Sequence, residues 1–184
     1  MAKYSDIKGF TVQTLASDTA ASAITAGSWA SGNDLNTGRS SGGGAGVLQT
    51  AAVVFGGQTP PEVGNTESYN GTSWTELNDL NTARTQASRG QGGTYTSAIY
   101  GTKTGTNVIE SWDGSSWTEI AELNTARYNT GISGASNTSS LIFGGEVPGA
   151  SYSALTETWN GSSWTETNDL NTARNSGAAV GTAT

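Results

Sequence analysis

The sequence predicts an all-β chain in which one strand pattern is written several times over. Three observations carry that expectation. Tryptophans recur at Trp29, Trp74, Trp117 and Trp164, spaced by 45, 43 and 47 residues. The last three each follow a two-residue turn signal: Asn70-Gly71, Asp113-Gly114 and Asn160-Gly161. The composition is glycine-rich, with 26 Gly in 184 residues and only 34% hydrophobic residues, and Thr, Ser and Asn outnumber the helix formers Lys, Met and Gln. Such a mixture suits short strands joined by tight turns.

The period decides the architecture. The triplet Leu-Asn-Thr starts at Leu35, Leu80, Leu123 and Leu170, and each copy is closed by an arginine, Arg39, Arg84, Arg127 or Arg174. A period near 45 excludes leucine-rich repeats, and the lack of helical periodicity excludes helical solenoids. After Arg39 the run GGGAGVL reads as a first strand and Gln49-Thr50 as a turn. AAVVF reads as a second strand ending in Gly56-Gly57. A variable loop with Pro60 and Pro61 leads to TESY, then Asn70-Gly71, then TSWTEL. Asn-Gly between two strand-like runs predicts a type I′ hairpin, whose two central residues both need positive φ. Four short antiparallel strands per unit is the pattern of a propeller blade.

The order of an arginine, a small strand, an apolar strand ending in Gly-Gly, an aromatic, and a tryptophan five residues later resembles the kelch repeat. The resemblance covers nearly the whole chain. The double glycine stands at Gly56-Gly57 and Gly144-Gly145, whereas the second unit has only Gly101 after Tyr100. The aromatic is Tyr69, Trp112 or Trp159. The resemblance implies a kelch-type β-propeller.

Whole units occupy 39–83, 84–126 and 127–173, and three blades leave open edges. A shift of 45 places Phe10 on Phe55, Gln13 on Gln58, Trp29 on Trp74 and the NDLNT at 33–37 on the NDLNT at 78–82. The N-terminus therefore reads as the last three strands of a blade, and the tail after Arg174 as its first strand. The expectation is one domain, 1–184, with four blades of four strands, the closing blade (174–184 plus 1–38) shared by the two termini. Thr11 and Val12 stand where glycines would be expected, and Ile24 where the aromatic would be. The rival is a free N-terminal arm, 1–27, on a ring completed by another subunit.

Residues repeated in every blade are expected to be architectural. Trp29, Trp74, Trp117 and Trp164 are assigned to the space between blades, where each ring contributes on the order of 2–3 kcal/mol. The arginines and the once-per-unit Glu67, Glu110 and Glu157 are expected to form ion pairs that hold the register. The alternative for Arg39, Arg84, Arg127 and Arg174 is an anion site lining the channel. Asn36, Asn81, Asn124 and Asn171 are read as turn caps. Tyr69, Trp112 and Trp159, together with Tyr152, Glu62 and Glu146, form the candidate binding surface, the aromatics as sugar platforms. The variable stretches 58–66, 102–108 and 145–155 should gather on one side, as recognition loops do.

Charge and residue content narrow the function classes. The net charge of −7, from 8 basic and 15 acidic residues, offers no basic patch for a phosphate backbone. Without histidine or cysteine there is no imidazole or thiolate metal site, no Ser-His-Asp triad and no disulfide. Kelch-type alcohol oxidases hold copper with histidine, tyrosine and a modified cysteine, and those residues are missing here. Glu62, Glu122 and Glu146 break the repeat pattern but lie in variable loops or beside turns, and nothing places them together, so no carboxylate pair for glycoside hydrolysis can be assigned. The chain is expected to be non-enzymatic, with no cofactor and no metal. No apolar run is long enough to cross a membrane, and MAKYSDIKGF lacks the apolar core of a secretory signal. Synthesis in the cytoplasm is the expectation. The sequons at Asn70, Asn137 and Asn160 are set aside on that ground.

The wording WNGSSWTETNDLNTAR with AGVLQTAAVVFGG resembles a kelch-like group common in structural proteins of tailed bacteriophages, notably aquatic ones. That resemblance implies a virion component: a tail, fibre, neck-appendage or capsid-decoration protein that binds other virion proteins in symmetric multiple copies. Met1 to Ile7 is then either a docking strand or part of the shared blade. The alternatives are an adhesin that binds a host-surface glycan and attaches the particle, and a host-cell adaptor.

Overall fold

Among the described residues every strand sits in one of three four-stranded antiparallel meanders, and no helix occurs. This computed structural model describes residues 31–85, 87, 89–103, 107–149, 151–178 and 181. Trp29, Met1–Ile7 and the N-terminal strands expected of a closing blade lie outside them.

The first repeat comprises β1 (Gly43–Leu48), β2 (Ala51–Phe55), β3 (Thr66–Tyr69) and β4 (Trp74–Glu76). The second holds β5 (Arg89–Thr94), β6 (Ser97–Tyr100), β7 (Ile109–Trp112) and β8 (Trp117–Ile120). The third holds β9 (Gly131–Ser136), β10 (Ser139–Phe143), β11 (Thr156–Trp159) and β12 (Trp164–Glu166). These are the runs read from the sequence. Asn175–Ala178 adopt no strand, and most of the strand expected of the tail lies outside the described residues.

The first strands of the repeats pair with one another in parallel. β1 meets β5 at Gly44 and Gln91, and β5 runs beside β9 from Arg89–Gly131 to Gly92–Gly134. Close approach needs small residues. A Cβ on Gly43 would lie 2.6 Å from both the Phe55 and Tyr100 rings. That explains why the first strand of each repeat is rich in glycine.

The core lies between repeats. One buried cluster joins Val53, Phe55 and Leu80 of the first repeat to Ala98, Tyr100, Trp112 and Trp117 of the second. The other joins Ile99, Ile109 and Leu123 of the second to Ile132, Ile142, Trp159 and Trp164 of the third. Along β6 the period of two is plain: Ala98 and Tyr100 face the first repeat, and Ile99 faces the third. The middle sheet is therefore apolar on both faces.

The hairpin turns differ from expectation. Tyr69 pairs with Trp74, Trp112 with Trp117 and Trp159 with Trp164, which leaves four residues in each loop. Positive φ falls once per loop, at Gly71 (94°), Gly114 (93°) and Gly161 (92°), so these are not type I′ turns. The residue before each glycine closes the loop through its side chain instead. Asn70 Oδ1 accepts from the Thr72 and Ser73 amides at 2.9 Å each, and Asp113 and Asn160 do the same in their loops. Those amide bonds also hold the Asp113 carboxyl below its ordinary range, the Ser116 amide most of all.

Candidate functional site

The repeated phrase Leu-Asn-Thr-x-Arg makes a bend that grips a glutamate. In the second repeat Glu110 accepts from the Asn81 amide (2.8 Å), the Asn81 carboxamide (2.9 Å) and the Thr82 amide (3.1 Å). Arg84 Nη2 adds an ion pair at 2.9 Å, with both side chains fully buried. Glu157 is held likewise by Asn124 N and Nδ2 and by Arg127 Nη1 at 2.6 Å. Glu67 takes Asn36 N, Thr37 N and Arg39 Nη1 at 2.6 Å.

Each Asn-Thr bend follows one repeat, and its glutamate sits on the third strand of the next. A monodentate guanidinium contact plus two or three N–H donors satisfies a buried carboxylate, which would otherwise be strongly unfavourable. The three arginines are neutralised at once, so a channel-lining anion site has no free charge at Arg39, Arg84 or Arg127. Burial is also what lowers the Arg84 pKa, against the pull of Glu110.

The asparagines do more than cap. Asn36, Asn81 and Asn124 also donate to the carbonyls of Trp74, Trp117 and Trp164. The tryptophan indoles complete the seam: Trp74 donates to Asn33 O, Trp117 to Thr66 Oγ1 and Trp164 to Ala121 O, each across a repeat boundary. Trp117 also packs edge-on against Phe55, 4.8 Å between centroids.

Gly56-Gly57 and Gly144-Gly145 serve the same seam. Gly57 N donates to Arg84 O at 2.9 Å and Gly145 N to Arg174 O at 2.8 Å. Gly56 has φ +61°, and a Cβ there would stand 2.7 Å from Arg84 O. The second repeat, which lacks the doublet, reaches Arg127 O through the hydroxyl of Thr102. The hydrogen bond is conserved across the repeats while its donor changes.

Two of the candidate platform aromatics are not on the surface. Trp112 is 0% exposed and Trp159 6%, and Tyr69 is half-buried. The reason is register. Cross-strand partners in a hairpin point to one face, so Trp112 stacks on Trp117 at 5.3 Å, Trp159 on Trp164 at 5.2 Å and Tyr69 on Trp74 at 4.9 Å. If one ring of a pair is interior, the other shares its side.

The variable stretches 58–66, 102–108 and 145–155 do connect the second and third strands of their repeats. Glu62 pairs with Lys103 of the next repeat, whose ammonium also donates to Ala83 O. Sequence reasoning missed this pair, although Lys103 is the sole lysine beyond residue 8. Glu146 accepts from the Asn175 carboxamide, and its proximity through a hydrogen bond raises the Tyr128 pKa. Tyr152, in an isolated bridge with Glu146, is 56% exposed. Val47 and Leu48 at the β1–β2 turn, with Tyr95, are the other large exposed apolar side chains among the described residues.

Among the described residues, no three acidic side chains gather as metal ligands would, and no helix is long and apolar enough to cross a membrane. No protein-family model matches the chain, and no curated protein matches it.

Proposed function

We propose that the chain is a four-bladed kelch-type β-propeller, its closing blade shared by the termini, that serves as a non-enzymatic structural protein of a tailed-bacteriophage virion. The observation that supports the architecture is the seam: successive described repeats are joined by an asparagine–glutamate hydrogen bond backed by a buried Arg–Glu pair, one tryptophan indole and one hydrogen bond to an arginine carbonyl. A module whose repeated Arg39, Arg84, Arg127, Glu67, Glu110 and Glu157 are consumed by its own assembly has its loops left for recognition. Placement in the virion is supported by the resemblance of WNGSSWTETNDLNTAR and AGVLQTAAVVFGG to repeats of phage structural proteins. Other virion proteins, met in symmetric copies, are its partners in this reading.

Mass spectrometry of density-purified particles from the source tests it. A fixed copy number relative to the major capsid protein is expected, and its value distinguishes tail from capsid. Absence from clean particles would overturn the virion reading.

Exposed Tyr152 beside Glu146 favours a second reading, a host-surface glycan adhesin. Binding of the isolated protein to a glycan array, lost in Tyr152→Ala, would select it over the first.

A further inference from the structure

Two of the three hairpin loops open on Asn-Gly, the dipeptide in which a carboxamide is least protected from its own backbone. Of the chain's asparagines, only Asn70 and Asn160 precede a glycine. The loop demands that glycine. Its φ is +94° at Gly71 and +92° at Gly161, and a Cβ would stand 2.9 Å from Thr50 Cγ2 or 3.2 Å from Thr138 Cβ. A glycine in turn leaves its amide nitrogen unshielded, and that nitrogen is the group that attacks a preceding asparagine side chain. Neither glycine amide donates a hydrogen bond to a described residue.

The loop also activates the carboxamide. Asn70 Oδ1 accepts from the Thr72 and Ser73 amides, and Asn160 Oδ1 from the Ser162 and Ser163 amides, all at 2.9 Å. Attack on Cγ moves negative charge onto that oxygen, and two backbone amides at this distance stabilise an oxyanion. Both asparagines are exposed, so water reaches them. The middle repeat shows the product in place. Its loop carries Asp113 before Gly114, with Oδ1 held by the Ser115 and Ser116 amides at 2.8 and 2.7 Å and Oδ2 by Ser116 Oγ at 3.2 Å. Gly114 keeps φ at +93°. The same loop thus holds an aspartate without rearrangement, and a charged acceptor strengthens both amide bonds. The lowered pKa of Asp113, due first to the Ser116 amide, has that origin.

We propose that Asn70 and Asn160 are deamidation sites of the folded chain, and that their loops retain the resulting aspartate as the third loop retains Asp113. Gly71 N gives its proton to solvent and bonds to Asn70 Cγ. The Cγ–Nδ2 bond breaks, and ammonia leaves with a proton taken from water. A second water then opens the five-membered imide. Addition at Cγ breaks the new C–N bond and yields aspartate. Addition at the Asn70 main-chain carbonyl breaks the original peptide bond and yields isoaspartate, with the backbone routed through Cγ. Asn160 and Gly161 react in the same way.

Isoaspartate lengthens the loop by one carbon and takes the carboxylate away from the two amides. The folded loop therefore favours aspartate, whereas unstructured chains yield mostly isoaspartate. Each event adds one negative charge to a chain that starts at −7. The inference stands on the loops and not on the virion reading, so absence from particles leaves it intact.

The test incubates the full chain in mildly alkaline 18O-water, natively and in urea, and maps it by mass spectrometry after digestion in ordinary water. The heavy oxygen marks conversion during incubation and not during digestion. In the native arm Asn70 and Asn160 are expected to convert about tenfold or more faster than Asn81 and Asn124, which precede threonine. Aspartate should exceed isoaspartate there, and the ratio should reverse in urea. Conversion confined to the urea arm, or an excess of isoaspartate in the native arm, would overturn the proposal. The Asn70→Asp/Asn160→Asp chain supplies a second readout. It should melt no lower than the native chain at neutral pH, and lose ground as pH falls through the lowered carboxyl range. A lower melting temperature at neutral pH would show that the loops do not hold the product, which also overturns it.

Discussion

Arg127 and Arg174 close the same pentapeptide, Leu-Asn-Thr-Ala-Arg, yet one is 1% exposed and the other open to solvent. Their backbones do the same things: the bend, the carbonyl contact and the positive φ that follows recur at both. What differs is the glutamate, supplied to Arg127 by β11 and to Arg174 by nothing described. The phrase therefore carries its conformation within itself, and its burial comes from a neighbour. Local geometry and charge compensation are separable here, and four measurements pull them apart.

The largest effect belongs to Glu110→Gln. It strands the Arg84 guanidinium in a fully buried place, and breaking such a pair costs about 3–5 kcal/mol. Urea unfolding should show a clear fall in midpoint.

Gly56→Ala and Gly144→Ala come next, at about 1–3 kcal/mol each, because both force a side chain into a left-handed backbone pressed against an arginine carbonyl. Similar losses at the two sites are expected, since that contact exists at both ends. A much smaller loss at Gly144 would mean that the seam near Arg174 is not held in solution.

Alkaline pH probes the middle seam. Burial pushes the Tyr100 phenol up to about 12, from an ordinary value of about 10. Its neutral form is favoured in the folded state, so this stability is intact below pH 10 and is lost as pH rises through 12. The slope is at most about 1.4 kcal/mol per pH unit. Arg84, 5.1 Å over the ring and itself lowered by burial, titrates in the opposing sense. The difference between the native chain and Tyr100→Phe isolates the tyrosine's part.

Arg174→Ala should be the smallest, within about 0.5 kcal/mol, as for exposed positions without special contacts. A loss of several kcal/mol would mean that the arginine is paired after all.

The sequence carried the strands because their pattern recurs, and a pattern written three times outvotes weak local propensity. The Arg–Glu pairs were equally legible: charged residues repeated once per unit on small polar strands have few other places to go. Trp112 and Trp159 were misread because spacing alone does not reveal which residues stand opposite each other. The side-chain-closed loop adds two residues to the expected turn and sets each ring directly across from its partner. Thr102 stands where the other repeats carry their second glycine, and the hydrogen bond asks only for a donor near Arg127 O. The Glu62–Lys103 pair depends on two loops of unrelated sequence meeting, and no periodicity announces that.

The seam also bears on how such a gene can grow. Each pentapeptide ends one repeat and begins the next, so a segment duplicated from one copy of the phrase to the following copy brings in one new bend and one new glutamate together. Unequal crossing-over between the near-identical stretches would lengthen or shorten the array without ever leaving a carboxylate ungripped.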